Sequence, residues 1–170
     1  MDDLARLLAY QEIRQLASHY AVALDARDLD RLAGLFMPDV QVGRDRSGRE
    51  ALRESFDQQL RAIGVSFLLV GSHAIDLVSE EEATGVVYCK AEIQDGERWI
   101  HQAIQYHDRY ARRDGHWYFV RRKHLLVYGL EQPASPLDQP SANWPERHDG
   151  RGSVPQSLAS WQQFWGHDPP

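Results

Sequence analysis

HYAVALDARDLDRLAGLF, residues 19–36, decides the fold, because it ends one amphipathic helix, turns at an acidic residue and starts a second helix. Upstream, Leu4, Leu8, Ile13, Leu16, Ala17, Tyr20 and Leu24 recur at helical spacing, with Arg6, Glu12 and Arg14 left for solvent, so residues 4–24 read as the first helix. Downstream, Asp28 is suited to cap a new helix whose Leu29, Leu32, Ala33 and Phe36 follow the spacing of a buried stripe. Asp25 therefore sits at a corner beside a core. An isolated Asp in such a corner ordinarily caps the turn through local hydrogen bonds. In an unbroken helix the side chains of Tyr20 and Asp25, five residues apart at about 100° each, point to different faces. They share a site only if the helix stops between them.

Past the second helix, Met37-Pro38-Asp39 breaks the pattern, and Val40 and Val42 alternate with polar neighbours as a short strand does. Ser47 and Glu50 have the spacing of a capping box ahead of Leu52, Phe56, Leu60 and Ile63, which predicts a third helix from Ser47. From Val65 the period changes to two. Four strands are expected over Val65 to Val78, Ala83 to Ile93, Arg98 to Arg112 and His116 to Leu130. The turns Asp95-Gly96 and Asp114-Gly115 join three of them as hairpins in an antiparallel meander. Three helices followed by a long curved sheet make an α+β domain. Residues 131–157 carry Pro133, Pro136, Pro140, Pro145 and Pro155 and predict an irregular excursion, with Leu158, Trp161 and Trp165 on one face of a short terminal helix.

At 170 residues and 42% hydrophobic content the chain is expected to form one domain with a real core. A net charge of −6 lacks the basic footprint of a nucleic-acid or anionic-membrane binder. Cys89 is the single cysteine, which excludes an intramolecular disulfide, and the chain shows neither a signal-peptide core nor a transmembrane-length apolar run, so a cytoplasmic location is expected. Eight histidines invite a metal site, but His101 and His107 share a strand face six residues apart, roughly 20 Å at ~3.3 Å per residue, too far for one ion. No metal, phosphate-loop or nucleophile motif is present. On the third strand Trp99, His101, Ala103, Gln105 and His107 form one face and Ile100, Gln102, Ile104, Tyr106 and Tyr110 the other. Both faces look partly covered, which predicts helices on one side and a second subunit, as a homodimer, on the face bearing Trp99, His101 and Gln105.

In this order and at these distances, the helix-turn YAVALDARDLDRLAGLF followed by PDV, the strand LLVGSHAIDL and the close YHDRYARRDGHWYFVRRK resemble the SnoaL-like branch of the nuclear transport factor 2-like superfamily. That cone-shaped α+β fold also includes scytalone dehydratase, bile-acid dehydratases, a hexachlorocyclohexane dehydrochlorinase and ketosteroid isomerase-like enzymes. The resemblance covers about residues 4–130. It implies a domain over residues 1–130, with three N-terminal helices on a strongly curved antiparallel sheet, and a C-terminal extension, 131–170, packed on the domain or on a partner subunit. Carried over by residue, Asp25 matches the family's catalytic aspartate, Tyr20 a polar position before it, Arg122 a pocket-facing basic residue on the last strand, and Ile104 and Tyr106 pocket-lining positions. The histidine that pairs with the aspartate in the dehydratases falls here at Leu68. His73 instead matches the second polar position of the strand motif, read as Gly71-Ser72-His73. Leu68 and His73 are an odd five residues apart, so both reach one face only if a bulge lies near Gly71. His124 shares a face with Arg122.

The resemblance implies a cofactor-independent lyase, such as a dehydratase, or an isomerase, using Asp25 for acid–base chemistry on a small apolar cyclic or polyketide-like molecule. Tyr20 and Tyr106 would hydrogen-bond a substrate oxygen, and Arg122 would hold Asp25 ionised or stabilise developing negative charge. The alternative is a non-catalytic ligand-binding or assembly module in which Asp25 and Arg122 form a buried structural ion pair.

Overall fold

The computed structural model describes residues 1–167 and begins with α1 (Asp3–Asp25), capped by Asp2, whose carboxylate accepts the Ala5 N–H at 2.7 Å. Asp28 does the same for α2 (Leu29–Gly34), accepting from the Arg31 N–H at 3.1 Å. A two-residue ladder follows, β1 (Gln41–Val42) with β2 (Arg46–Ser47), and then α3 (Arg49–Arg61). The expected capping box is not formed. Ser47 is taken up by the ladder opposite Gln41, and α3 starts instead after Gly48 at φ 95° with no side-chain cap.

Four long strands complete the domain: β3 (Ser66–Leu77), β4 (Glu82–Asp95), β5 (Arg98–Arg113) and β6 (His116–Gln132), all antiparallel in the order β3-β4-β5-β6. Gly96, and Asp114 with Gly115, take positive φ at the two hairpin turns, the conformation that Asp-Gly pairs favour. Among the described residues the sheet has three register shifts, one of them between Ala103 and Ile104, and the other two place the side chains of the site. One between Val70 and His73 advances β3 by one residue and brings His73 onto the face that Leu68 occupies. The other, between Arg109 and Tyr110, does the same to the β5–β6 pairing, so that Phe119 and Arg122 both face inward.

Against this face α1 lays Ile13, Leu16, Ala17 and Tyr20, which pack with Val87, Tyr106, Tyr110 and Phe119 into one core. The end of α2 is stitched to the sheet, Met37 N–H to Phe119 O and Phe119 N–H to Leu35 O, both 2.9 Å. Residues beyond β6 run irregularly to α4 (Ala159–Trp165). Its buried side chains are Trp161 and Phe164, while Leu158, at the N-cap, is exposed. Trp161 packs with Val65 and Trp99, so Trp99 is covered by this chain's own terminus rather than left for a second subunit. Among the described residues no helix is long and apolar enough to cross a membrane.

Candidate functional site

Asp25 closes α1 and is held by β3 through both carboxylate oxygens: the Ser66 hydroxyl donates to one and the Leu68 N–H to the other, each at 2.8 Å. Leu68 thus acts on Asp25 through its backbone. Burial pushes the Asp25 carboxyl up to about 6, against the Leu68 N–H, the Ser66 hydroxyl and the charge of Arg27, which all favour the ionised form. A carboxylate so poised is ionised at neutral pH yet basic enough to accept a proton. Ser66 and Arg27 carry no sequence motif. Their signal is only position, one at the start of β3 and the other just past the corner.

The helix does not stop between Tyr20 and Asp25; it runs unbroken to its C-cap at Ala26. The two side chains diverge accordingly. Tyr20 enters a cluster of rings, with centroids 5.9 Å from Tyr106 and 6.1 Å from Phe119, while Asp25 turns to β3. Nor does Arg122 pair with Asp25. Its Nε and Nη2 donate to the two oxygens of Asp108 at 2.9 and 2.7 Å, with the paired side chains 4% and 0% exposed. Burial works against the Arg122 charge, but Asp108 outweighs it and holds the pKa above the ordinary arginine value. The guanidinium lies 4.3–4.4 Å from the ring centroids of Tyr20, Tyr106 and Phe119, a cage that fixes it by cation–π contact. Register explains the partner. Counted back from the pair Arg113 and His116, Asp108 would face Arg121, and the bulge after Arg109 moves Arg122 opposite it.

The same network holds His73. The Tyr110 O–H donates to Asp108 at 2.8 Å, so its oxygen is left to accept from His73 Nε2 at 3.0 Å. His73 therefore carries its proton on Nε2, and burial lowers its pKa to about 4, keeping the ring neutral. It reaches the inner face but bonds Tyr110 rather than Asp25. His124 is exposed on the inner face, its ring centroid 5.6 Å from that of Tyr106. Ile104 is buried opposite Cys89. The proposed constellation thus divides into two: Asp25 with Ser66, Leu68 and Arg27, and Arg122 with Asp108, Tyr110, His73, Tyr20 and Tyr106.

A cleft of about 410 Å³ opens on the inner face at the far end of the sheet, lined by Ile63, Ile93, Ile100, Gln102 and Gly129 and by the charged Asp95, Arg98 and Glu131. Its floor lies in register with the anchors of Asp25: Ser66 faces Ile93 and Ile100 across the ladder, and Leu68 faces Ala91 and then Gln102. Its size suits a small molecule, with an apolar floor and the Gln102 amide to orient a polar group. Asp25 itself is not among its walls.

A family model described as a SnoaL-like domain matches residues 5–123. Solved structures share the fold. A candidate scytalone dehydratase from Novosphingobium aromaticivorans is 22% identical, with a TM-score of 0.66 over 77% of this chain and 92% of its own. A hexachlorocyclohexane dehydrochlorinase from Novosphingobium barchaimii is 22% identical, with a TM-score of 0.69 over 78% and 95%. A protein of unknown function with a cystatin-like fold from Nostoc punctiforme is 21% identical, with a TM-score of 0.58 over 76% and 96%. At these identities the likeness establishes the architecture alone. Among curated proteins none matches at a significant level.

Replacing Asp108 with Asn leaves Arg122 buried without a counter-charge and should lower the unfolding free energy by about 3–5 kcal/mol in denaturant titrations. Asp25 has a separate signature. Its folded-state pKa of about 6 lies above the ordinary 3.8, so between these values the folded protein binds more protons than the unfolded chain. Stability from this group must then fall as pH rises from about 4 to about 6. The melting temperature of the wild type relative to Asp25→Asn should decline across that window; a constant difference would show that the carboxyl titrates normally.

Proposed function

This chain belongs to the SnoaL-like domain family, and on that premise we propose that it is a cofactor-independent lyase or isomerase in which Asp25 transfers a proton to and from a small apolar cyclic molecule. The observation that carries the reading is the double anchoring of Asp25 from β3, which fixes both oxygens and leaves a half-buried carboxylate with a pKa pushed up to about 6. Structural neighbours named as a dehydrochlorinase and a candidate dehydratase agree with proton-transfer chemistry on a small molecule. The base works as the ionised carboxylate, the form that predominates at neutral pH, and returns the proton to the product or leaving group. The 410 Å³ cleft, with Ile93 and Ile100 as floor and Gln102 as its hydrogen-bonding group, is where the substrate enters. Tyr106 and Tyr20, both pushed by burial further from ionisation, act as neutral hydroxyls. Arg122 supports the interior beside them with its charge already matched by Asp108.

A second reading, a binding module without turnover, draws on one observation: the cleft stops short of Asp25, and Tyr20, Tyr106 and Arg122 fill the interior against one another. The two separate on Asp25→Asn, assayed with phenolic, polyketide-like and steroid-like compounds first selected by thermal shift. The amide keeps the shape but cannot exchange a proton at neutral pH, so the enzyme reading expects a folded protein that binds the compound and has lost at least about 99% of turnover. Unchanged turnover by folded Asp25→Asn would end it.

Self-association also belongs to this reading. Phe67, Leu69, Tyr88, Tyr128 and Leu130 are all exposed on the outer sheet face, where Leu69 shares a row with Tyr128 and Phe67 a row with Leu130. A closed symmetric dimer through this patch, displaced from the Trp99 region that α4 covers, removes it from water. Light scattering should return about twice the 19.5 kDa chain mass at micromolar concentration, and Tyr88→Glu with Leu69→Glu should return the monomer. A wild-type monomer would refute the association.

A further inference from the structure

Arg27 is among the largest fully buried side chains, 1% exposed, and the reaction as described gives it no task. It stands one residue past the C-cap of α1 at φ 57°, a left-handed conformation that is uncommon for a residue other than glycine and that places its guanidinium beneath the Asp25 corner. Nη1 donates to Leu24 O at 2.8 Å and to Ser66 Oγ at 2.9 Å, and Nη2 donates to Gly64 O. The Trp161 ring of α4 covers the group, its centroid 4.9 Å from the guanidinium carbon. Ser160 of the same helix ties down the corner by donating to Ala26 O at 2.8 Å.

The direction of this chain of hydrogen bonds is fixed by chemistry. A guanidinium only donates and a carboxylate only accepts, so the Ser66 oxygen receives from Arg27 and its single hydrogen goes to Asp25. A hydroxyl polarised by a cation is a stronger donor than a free one. The other titratable groups whose field couples to Asp25 are Tyr20 on α1 and Cys89 on β4, and burial drives both toward their uncharged forms. Arg27 is the positive charge whose field acts on Asp25, and the Ser66 hydroxyl bridges the two groups.

We propose that Arg27 is a positioning residue for the Asp25 base: it orients the Ser66 hydroxyl onto one carboxylate oxygen, while Trp161 of the C-terminal segment seals the arrangement from water. The role rests on Asp25 being the base, but the coupling itself exists with or without turnover. In this way residues beyond the SnoaL-like domain, residues 5–123, become the back wall of the site.

The test is an NMR titration of the Asp25 side-chain carboxyl in the full-length protein, assigned by its loss in Asp25→Asn. Arg27→Lys keeps the positive charge but replaces the planar fork with a single ammonium. It should raise the Asp25 midpoint by about half a unit or more, and Arg27→Gln should raise it further. In the Ser66→Ala background, where the relay is already cut, Arg27→Lys should add little, as coupling through a shared partner requires. Trp161→Leu, which admits water to the arrangement, should lower the midpoint, because burial is the largest cause of its elevation; an unchanged or raised midpoint overturns the seal. A midpoint unchanged or lowered in Arg27→Lys, or raised equally in both backgrounds, overturns the proposal. Should Arg27→Lys not fold, Arg27→Gln makes the same comparison: a rise in the wild type that shrinks in the Ser66→Ala background supports the proposal, and no rise, or an equal rise in both, overturns it. The titration needs no substrate, so its outcome is independent of whether Asp25→Asn abolishes turnover.

Discussion

The attachment of the α1 C-terminus to the first long strand governs the rest of this structure. Asp25 spans that junction, with one oxygen on the Ser66 hydroxyl and the other on the Leu68 N–H. A carboxylate at a helix C-terminus faces the negative end of the helix dipole and is also partly desolvated, so two donors from β3 are what make the position tolerable in the ionised form. The bond pair fixes how α1 crosses the sheet, and with it the placement of Ile13, Leu16 and Tyr20 against Val87, Tyr106 and Phe119. The contact thus joins the chemistry of the carboxyl to the edge of the packed core. Removing water from the carboxyl raises its basicity, while hydrogen bonding keeps it from remaining protonated at neutral pH.

The buried charges divide the work. Arg122 and Asp108 satisfy each other in a bidentate pair, braced by Tyr110 and by three aromatic rings. Such a pair contributes little net stability compared with apolar packing, yet breaking it is costly, so it resists rearrangement. With Nε and Nη2 both engaged by Asp108, Arg122 serves as a rigid wall rather than as the counter-ion of the base. Asp25 has no direct ion pair among the described residues, and the positive charge nearest in effect, Arg27, reaches it through a hydroxyl. This separation leaves one carboxylate whose protonation can change without unmaking the core.

The helices, the four strands and both Asp-Gly turns followed from periodicity and local turn chemistry, within one or two residues of the observed bounds. Gly71 marked the bulge that carries His73 inward, because an odd spacing on a strand requires an extra residue to share a face. The partner of Arg122 was beyond reach for the same physical reason: the bulge after Arg109 has no comparable marker, and without it Asp108 lies opposite Arg121. Tyr20 and Asp25 part company because α1 persists one turn further than a shared site needs. Ser47 shows how tertiary pairing overrides a local motif, since a ladder with Gln41 took the residue that a capping box required. Arg27 was hidden by ordinary appearance. An arginine between Ala26 and Asp28 reads as solvent-facing, and only the arrival of Gly64, Ser66 and Trp161 from distant parts of the chain buries it.

The claim at the centre of this account is that a single carboxylate with a raised pKa performs the proton transfer. The pH dependence of kcat/KM reports the ionisation of the free enzyme's essential groups, and so addresses that carboxylate without reference to the substrate's own affinity. With a substrate in hand, kcat/KM should climb tenfold per pH unit at low pH, bend near the Asp25 value of about 6 and level off above it. A profile that is flat from pH 5 to 8, or that bends near the ordinary aspartate value of 3.8, would contradict the account.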